Sequence, residues 1–313
     1  MEVSVASKTA LVTALMRALH TRADPQPIIH DPWGDLLVPD SAREKIRERA
    51  LSAMSVEART AAESGSESIV DAWLHANAAY TTVITRSRYA EDALHAAVAR
   101  GVQQYVLIGA GFDSYALRTP AKAQHVRIFE IDHLATQTRK KQRIVECGIP
   151  LRDSIYFLSA DLAQESLSSV LSRSEFDPSE LTFFSWLGVT MYLTREANLA
   201  SLRAIAQCAP SGSELVFTYI DQEVFLSASS SRSGSFADLQ RSVKSVGEPF
   251  ISGFDPSTLA QDLQSVGFEL QEDLTDFQVL DRYDPLGVNS LRPASYSRIA
   301  RARIADEQTQ RTA

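Results

Sequence analysis

The sequence has few cysteines and no excess of basic residues, and each shortage excludes a class of protein. Two cysteines, Cys147 and Cys208, are too few for a disulfide framework or a cysteine-rich metal cluster. Acidic residues outnumber basic ones by 39 to 31, and the formal net charge is -8. A nucleic-acid-binding protein needs a basic face to meet phosphate. We therefore expect no nucleic-acid partner.

Long apolar runs are also missing, and none is long enough to span a membrane. A short apolar stretch at residues 10–16 is preceded by Glu2 and followed by Arg17. A signal peptide would instead begin with basic residues and end at a small-residue cleavage site. We predict an amphipathic helix here, and a cytoplasmic protein without a membrane partner.

The six histidines show no spacing that is typical of metal ligands, so we predict no metal site. What the sequence does contain is ample apolar material. With 313 residues and a hydrophobic fraction of 44%, it can form one large domain or two small ones, each with a sizeable core.

The spacing of apolar residues along the chain changes near residue 100. Before it, apolar residues recur at helical spacing, which predicts a helical N-terminal segment over residues 1–100. After it, short β-rich runs alternate with helical patterns, which predicts an α/β fold with a mostly parallel sheet and helices on both faces. The predicted strands are Tyr105–Gly109, Val126–Asp132, Ile155–Ala160, Leu181–Leu187, Glu214–Tyr219 and Phe268–Leu274, with a further one near Tyr296–Ala302.

A serine-rich stretch, residues 227–234, interrupts this alternation after the fifth strand. It lies within a predicted insertion at about residues 222–255 of the second unit, residues 101–313. Irregular segments at the carboxyl ends of strands lie where ligands bind. The stretch is therefore either a flexible surface loop or a lid beside a substrate pocket.

A glycine turn follows the first predicted strand. Gly109, Ala110 and Gly111 form a Gly-x-Gly pattern, which lacks the third glycine of a dinucleotide-binding fingerprint. That glycine allows tight helix packing beneath a pyrophosphate. Its absence disfavours a nicotinamide or flavin cofactor and suits a nucleoside without phosphate, such as S-adenosylmethionine.

Carboxylates stand at the ends of the next two strands. Asp132 lies 23 residues after Gly109, close to the spacing of about 20 between a glycine turn and the acid that binds ribose. Glu130 shares its strand face, but Asp132 is nearer the strand end and is the better ribose ligand. Asp161 and Leu162, after the third strand, could meet an adenine ring. A helix is predicted to begin after the glycine turn, and Asp113 is interpreted as its cap.

Taken together, these residues resemble the leucine carboxyl methyltransferase family, a branch of the class I S-adenosylmethionine-dependent methyltransferases. The similar segments are Ser7–Ala10, Ile29–Trp33, Thr85–Asp92, Leu107–Ser114, Phe129–Asp132 and Trp186–Leu193. The resemblance implies a Rossmann-like fold with a seven-stranded sheet and an N-terminal helical cap. It also implies S-adenosylmethionine as the cofactor.

The resemblance also implies roles for individual residues. Arg86, with Arg88 and Lys8 as further candidates, would meet the methionine carboxylate, for which an arginine offers a charged, bidentate contact. The remaining cofactor-binding candidates are Gly109, Ala110, Gly111, Glu130, Asp132, Asp161, Leu162 and Leu187.

The sequence departs from the family at Leu187. Family members that methylate the tail of a protein phosphatase typically carry glutamate there. The segment around Leu187 is more similar to the bacterial small-molecule branch, which includes polyketide carboxyl methyltransferases. This departure disfavours phosphatase methylation and the cofactor contact that the glutamate would make.

The predicted reaction is in-line methyl transfer to the carboxylate of a small molecule. A carboxylate is already ionised at neutral pH, so no catalytic base is expected, and catalysis would come from alignment and exclusion of water. Trp186 and Tyr192 are candidates for the acceptor pocket, although both could be core aromatics.

Other functions remain open at this point. A hydroxyl acceptor would need a histidine or carboxylate base, and a protein or peptide C-terminal carboxylate is a further acceptor. A binding protein that retains the fold without turnover is an alternative from another class. A nicotinamide-dependent dehydrogenase is disfavoured by the missing third glycine. The oligomeric state is not predicted.

Overall fold

The structure of the chain, a computed structural model, describes residues 7–57, 59–60, 68–162, 164–226, 233–244 and 247–306. Helices dominate the described residues before the first strand, as the apolar spacing predicts. They include α1 Lys8–Ala23, α2 Trp33–Leu37, α3 Asp40–Ala53, α4 Ile69–His75 and α5 Tyr80–Ala99. Ser7 caps α1, since its side chain accepts a hydrogen bond from the backbone N–H of Ala10.

The described part of the chain beyond α5 contains a seven-stranded sheet. Its strand order is β3-β2-β1-β4-β5-β7-β6. Strand β7 pairs antiparallel with both β5 and β6, and the other described pairings are parallel. The sheet confirms the predicted α/β fold. Its strands are β1 Gln104–Ile108, β2 Arg127–Asp132, β3 Ile155–Ser159, β4 Thr182–Trp186, β5 Glu214–Ile220, β6 Phe268–Thr275 and β7 Ser297–Ile304.

The order of the strands locates a binding edge. Strand β1 connects through β2 to β3 on one side, whereas β4 lies on its other side. In open α/β sheets, a crevice for ligands forms at this reversal, outside the carboxyl ends of the strands. Strands β1, β4 and β5 are buried along their whole length, as expected when both faces of a sheet are covered.

Helices connect and cover the strands. They are α6 Leu134–Glu146, α7 Leu167–Leu171, α8 Arg195–Cys208, α9 Glu223–Leu226, α10 Ser233–Lys244, α11 Leu259–Gln264 and α12 Asp276–Tyr283. None of the helices in the described ranges has both the length and the apolar character that a membrane crossing requires.

The connection after the glycine turn differs from the prediction. Instead of a helix, two 3-10 turns lie between β1 and β2, at Tyr115–Leu117 and Ala121–Ala123. Pro120 explains the difference, because proline disfavours helical geometry in the residue before it and cannot donate a helical hydrogen bond. Asp113 does not cap the first of these turns, because the cap position is Ser114, whose side chain makes no capping hydrogen bond. The Oδ1 of Asp113 instead accepts a local hydrogen bond from the N–H of Tyr115 at 2.7 Å.

Helix α12 was missed by the sequence analysis, although a signal for it exists. Thr275 and Gln278 form a capping box, in which each side chain accepts a hydrogen bond from the backbone of the other residue. The predicted serine-rich loop falls mostly outside the described residues, which resume at α10. Whether that stretch is a lid stays a prediction, as does the division of the chain near residue 100.

A buried ion pair fixes the helical segment against the sheet. Arg17 on α1 donates from Nε to Oδ2 of Asp31 at 2.7 Å, and from Nη2 to the carbonyl oxygen of Phe112 at 2.8 Å. Burial by itself would raise the pKa of Asp31. The guanidinium groups of Arg17 and Arg118 have the larger combined effect, so the pKa of Asp31 is lowered. This stabilisation is therefore present above the carboxyl's unfolded pKa of about 4 and is lost as the pH falls through the lower folded value.

Replacing Arg17 by leucine is expected to lower the free energy of unfolding by about 3–5 kcal/mol, because Asp31 would keep a buried charge without its partner. Chemical denaturation measures the loss. Arg47→Leu is the matched control, since Arg47 pairs with Glu44 where the two side chains are 50% and 60% exposed. The control should lose less than about 1 kcal/mol, and equal losses in both variants would contradict the assignment.

Candidate active site

The glycine turn is shaped by two close contacts. Gly109 and Gly111 have φ values of 71° and 54°, which favour glycine. A Cβ on Gly109 would lie 2.6 Å from Val189 Cγ2, and one on Gly111 would lie 3.0 Å from Ala10 Cβ. The turn therefore admits no side chain at either position, because the segment after β4 and the start of α1 press against it.

Asp132 stands at the carboxyl end of β2 and faces this turn. Its Oδ2 accepts a hydrogen bond from the N–H of Gly111 at 2.5 Å, and its Oδ1 accepts one from the N–H of His133 at 2.6 Å. Burial raises the pKa of Asp132, although both backbone donors oppose the shift. The carboxylate is held in one orientation and retains lone pairs for further donors.

Glu130 is not brought to the same edge. It lies two residues back along β2, and its buried carboxylate pairs with Lys140 of α6. Burial raises its pKa to about 7, against the opposing effect of Lys140. Its Oε1 has no hydrogen-bond partner in the described residues. The acid pair predicted from the sequence thus separates into an edge carboxylate, Asp132, and a core carboxylate, Glu130.

Arg86 on α5 reaches the segment that follows β4. A Cβ on Gly188 would lie 2.8 Å from both terminal nitrogens of the Arg86 guanidinium. Burial lowers the pKa of Arg86 to about 10, and Arg17 adds to that effect, while Asp276 and Asp113 oppose it. The group still carries its charge at neutral pH. It forms no hydrogen bond or ion pair with any residue that the structure describes.

Arg88 does not share this position. Its Nε donates to Asp92 Oδ2 at 2.9 Å, its Nη1 donates to the carbonyl oxygen of Ile28 at 2.8 Å, and its guanidinium lies over the ring of Tyr283. Residues two apart on a helix point in nearly opposite directions. The structure therefore corrects the expectation that Arg86 and Arg88 act together.

The two candidate aromatics of the acceptor pocket also separate. Trp186 is 1% exposed and belongs to the core between the sheet and its helices, so the structure corrects the expectation that it lines a pocket. Tyr192 is partly buried beside Thr9, Glu248 and Arg86. Burial, with the charge of Glu248, raises its pKa to about 12. Tyr192 therefore stays protonated at neutral pH, and its hydroxyl is able to donate a hydrogen bond.

The remaining predicted positions lie around the same edge. The N–H of Ala160 donates to the carbonyl oxygen of Asp132 at 2.9 Å, which places the end of β3 beside that residue. Asp161 and Leu162 follow and are exposed. Leu187 is partly buried against the core. Lys8, in the first turn of α1, is exposed next to Thr9.

Two residues of this edge were missed by the sequence analysis. Thr9 Oγ1 donates a hydrogen bond to Glu248 Oε2 across a separation of 239 residues. Thr9 lies inside the quoted segment Ser7–Ala10, so the resemblance could have included it. Glu248 follows α10 in an irregular segment, where no spacing rule applies. Among the described residues, no group of three or more histidine, cysteine, aspartate or glutamate side chains could hold a metal ion.

The fold, the glycine turn and the strand-end carboxylate define a class I methyltransferase. The chain belongs to the leucine carboxyl methyltransferase family, whose pattern it matches over residues 10–206. This membership confirms the predicted class of enzyme and S-adenosylmethionine as its cofactor.

Individual relatives agree with this assignment. YktD of Bacillus subtilis, whose name describes an S-adenosyl-L-methionine-dependent methyltransferase, is 30% identical over 88% of this chain and 91% of its own. A protein of Mycolicibacterium smegmatis with the same description is 28% identical over 84% and 83%. Among solved structures, a DUF574 family protein from Streptomyces avermitilis has a TM-score of 0.56 at 15% identity, covering 93% of this chain and 96% of that one. The last similarity concerns the fold alone.

Replacing Gly188 by alanine is expected to weaken the binding of S-adenosylhomocysteine about tenfold, because the new methyl group would displace the Arg86 guanidinium from the place where it is predicted to meet the ligand's carboxylate. Isothermal titration calorimetry measures the affinity. Gly148→Ala is the matched control, since Gly148 has a similar φ of 62° but no atom within 4 Å of the added Cβ. An equal loss of affinity in both variants would attribute the effect to backbone strain and contradict the role of Arg86.

Proposed function

We propose that this enzyme transfers a methyl group from S-adenosylmethionine to a carboxylate oxygen of a small molecule. The observation that carries the donor part of this proposal is the guanidinium of Arg86. It is a desolvated cation beside Gly188, whose neighbour Val189 contacts the glycine turn, and it has no hydrogen-bond or ion-pair partner in the described residues. Desolvating a charge without a partner is costly, so a ligand carboxylate at this position would offset the cost.

The chemistry of the donor fits the groups around Arg86. Its methionine carboxylate would receive the planar fork of Arg86, which matches a carboxylate in a bidentate way. Lys8 is a second cation in the first turn of α1, and the Thr9 that follows it lies beside Tyr192. Gly109, Ala110 and Gly111 would allow the methionine and ribose portion to approach the backbone.

Asp132 would hold the ribose, because its carboxylate is already oriented by two backbone N–H groups and can accept from two hydroxyls. Asp161 and the exposed Leu162 lie at the neighbouring strand end, where an adenine ring would be framed by a carboxylate and an apolar side chain. Leu187 would contribute packing only. Glu130 would act indirectly, by fixing β2 to α6 through Lys140.

When bound, S-adenosylmethionine supplies a methyl group on a positively charged sulfur. The acceptor oxygen forms a bond to the methyl carbon while the bond from that carbon to sulfur breaks, and no proton has to leave a carboxylate. The protein's part is therefore orientation and exclusion of water. Tyr192, which remains protonated, can donate a hydrogen bond to the acceptor near the methyl group.

A hydroxyl acceptor is the second candidate, and Glu248 is the observation that favours it. Its carboxylate lies beside Tyr192 and Thr9 at the same edge, where it could accept the proton that an alcohol or phenol must lose. The carboxylate acceptor remains the main proposal because it needs no proton acceptor at all.

Arg86→Gln is expected to weaken the binding of S-adenosylhomocysteine at least tenfold, since charged hydrogen bonds contribute about 1.5–3 kcal/mol. The same variant should bind methylthioadenosine, which lacks the amino acid carboxylate, as the wild type does. Asp132→Asn should weaken the binding of both ligands, because both contain the ribose. Calorimetric titration distinguishes the two patterns.

Arg88→Gln is the matched control, because the Arg88 guanidinium is hydrogen-bonded to Ile28 and Asp92. This variant should leave the affinities for both ligands unchanged. Loss of methylthioadenosine binding in Arg86→Gln would refute the carboxylate role. Binding of NADH in place of S-adenosylhomocysteine by the wild type would overturn the donor assignment.

The acceptor atom is tested by the stability of the product. With methyl-labelled S-adenosylmethionine and a small-molecule extract, the label should enter a product that releases volatile methanol in mild alkali, as methyl esters do. Heat-inactivated protein serves as the control. Label that stays fixed in alkali would indicate an ether and favour the hydroxyl acceptor, and label on macromolecules would indicate a protein substrate.

A further inference from the structure

Asp276, the first residue of α12, is a carboxylate buried next to α5 and is 4% exposed. Its Oδ2 accepts hydrogen bonds from Thr82 Oγ1 at 2.7 Å and from the N–H of Ala294 at 2.8 Å. Its Oδ1 accepts one from Thr85 Oγ1 at 2.9 Å. Three donors, together with a position in the first turn of a helix, favour the ionised carboxylate. They also hold it in one orientation.

The two threonines connect Asp276 to Arg86 through α5. Thr85 and Arg86 follow Thr82 by three and four residues, so the three side chains share one face of the helix. Arg86 and Asp276 also line the same cavity, which has a volume of about 10 Å³. Such a space holds about one water molecule and is too small for a larger ligand. It separates two opposite charges on facing helices.

The charges of Asp276 and Arg86 influence each other across this cavity. Burial raises the pKa of Asp276, and the charge of Arg86 is among the effects that oppose the shift. Burial lowers the pKa of Arg86, and Asp276 opposes that shift in turn. The structure describes both side chains, and they form neither a hydrogen bond nor an ion pair with each other. The attraction therefore uses none of the N–H donors of the guanidinium.

Arg298 is the other cation that lines the cavity, and its charge is already balanced. It forms an ion pair with Asp273 at 2.7 Å. Arg86 has no such partner among the described residues, and Asp276 attracts it more strongly than Asp113 does. Asp276 is thus the carboxylate best placed to balance the charge of Arg86.

The surface against which Arg86 packs is fixed from the same cavity. Thr218 lines the cavity, and its Oγ1 accepts a hydrogen bond from the N–H of Gly188 at 2.8 Å. Gly188 in turn lies against the Arg86 guanidinium. Because the Arg86 side chain is not fully enclosed, packing on one side leaves it room to move outward. Attraction to Asp276 opposes that movement.

We propose that Asp276 is a positioning residue for Arg86. It supplies a counter-charge from across the cavity, while two threonine hydroxyls and a backbone N–H hold it out of contact. The guanidinium is thereby kept beside Gly188 with its N–H donors free for a ligand carboxylate, whereas a direct ion pair would occupy those donors. This inference rests on the proposed function, because it takes the ligand to be S-adenosylmethionine or its demethylated product.

Asp276→Asn removes the counter-charge and keeps the shape of the side chain. It is expected to weaken the binding of S-adenosylhomocysteine about tenfold, the effect of losing one charged contact, because the guanidinium is no longer drawn to its place. Binding of methylthioadenosine, which lacks the amino acid carboxylate, should stay at the wild-type level. Calorimetric titration of the full chain measures both affinities, and the retained affinity for methylthioadenosine shows that the variant is folded.

Two further variants separate charge from shape. Asp276→Glu keeps the charge but adds a methylene group, and it should bind S-adenosylhomocysteine more tightly than Asp276→Asn does. A role that depends on shape alone predicts the reverse, because the asparagine is isosteric and the longer side chain overpacks a buried site. Thr82→Val removes one donor and lets the carboxylate turn towards Arg86. It should weaken S-adenosylhomocysteine about fivefold, the effect of one neutral hydrogen bond, and leave methylthioadenosine unchanged.

Asp284→Asn is the matched control, since Asp284 is a buried carboxylate at the other end of α12. It accepts hydrogen bonds from the N–H groups of Val288 at 2.8 Å and Asn289 at 3.0 Å. This variant should leave the affinities for both ligands unchanged. In an Arg86→Gln background, Asp276→Asn should cause no further loss of affinity for S-adenosylhomocysteine, because the guanidinium that it positions is absent.

Three results would overturn the inference. Equal losses for S-adenosylhomocysteine and methylthioadenosine in Asp276→Asn, or binding of neither, would indicate a general structural role. Unchanged affinity for S-adenosylhomocysteine in that variant would show that Arg86 needs no counter-charge. A further loss of the same size in the Arg86→Gln background would show that the two residues act independently.

The proposed function is tested separately by Arg86→Gln alone. If that variant binds S-adenosylhomocysteine as the wild type does, Arg86 does not meet the ligand carboxylate, and the positioning role fails with it. If Arg86→Gln weakens S-adenosylhomocysteine and Asp276→Asn does not, only the positioning role is refuted.

Discussion

The position of helix α1 depends on one buried interaction, in which Arg17 joins Asp31 to the carbonyl oxygen of Phe112. Buried ion pairs contribute little net stability compared with apolar packing, but they accept few alternative geometries. This pair holds α1 close to the glycine turn, where Ala10 packs against Gly111. Every feature of the site that involves the first turn of α1 follows from that placement. The segment that contains Asp31 therefore helps to fix the position of α1 through Arg17.

The site combines a cation and a carboxylate that the protein leaves incompletely satisfied. Arg86 is desolvated against Gly188 without a partner in the described residues, and Asp132 is oriented by backbone N–H groups but retains free lone pairs. Both arrangements are unfavourable for the protein alone. In the proposed function, a zwitterionic nucleoside would supply a carboxylate to Arg86 and hydroxyls to Asp132, and so offset this cost. Groups fixed in this way need no reorganisation on binding, which is the condition for accurate alignment of a methyl group.

Much of the binding edge could be predicted from the sequence, because each of its residues lies in a short sequence pattern at the end of a strand. Gly109, Gly111 and Asp132 lie at strand ends, where a short apolar run, a glycine and an acid are enough to predict position and chemistry. Other expectations failed where local pattern is ambiguous. Trp186 ends an apolar strand and is core rather than pocket wall, and the helix predicted after the glycine turn is replaced by 3-10 turns before and after Pro120. Helix α12 had a capping signal, and the sequence analysis passed over it.

The strand order, the antiparallel β7 and the orientation of individual side chains depend on contacts between distant parts of the chain. The sequence could not tell whether Arg86 or Arg88 faces the glycine turn, because both are arginines on one helix; the packing of α5 against Gly188, Ile28 and Tyr283 separates them. The contact of Thr9 with Glu248 spans 239 residues and leaves no local signal. Backbone geometry at a strand end is a local property of a few residues, and so it can be predicted from sequence. The partner of a charged side chain is set by the folded chain as a whole, because burial brings together groups that no spacing rule connects.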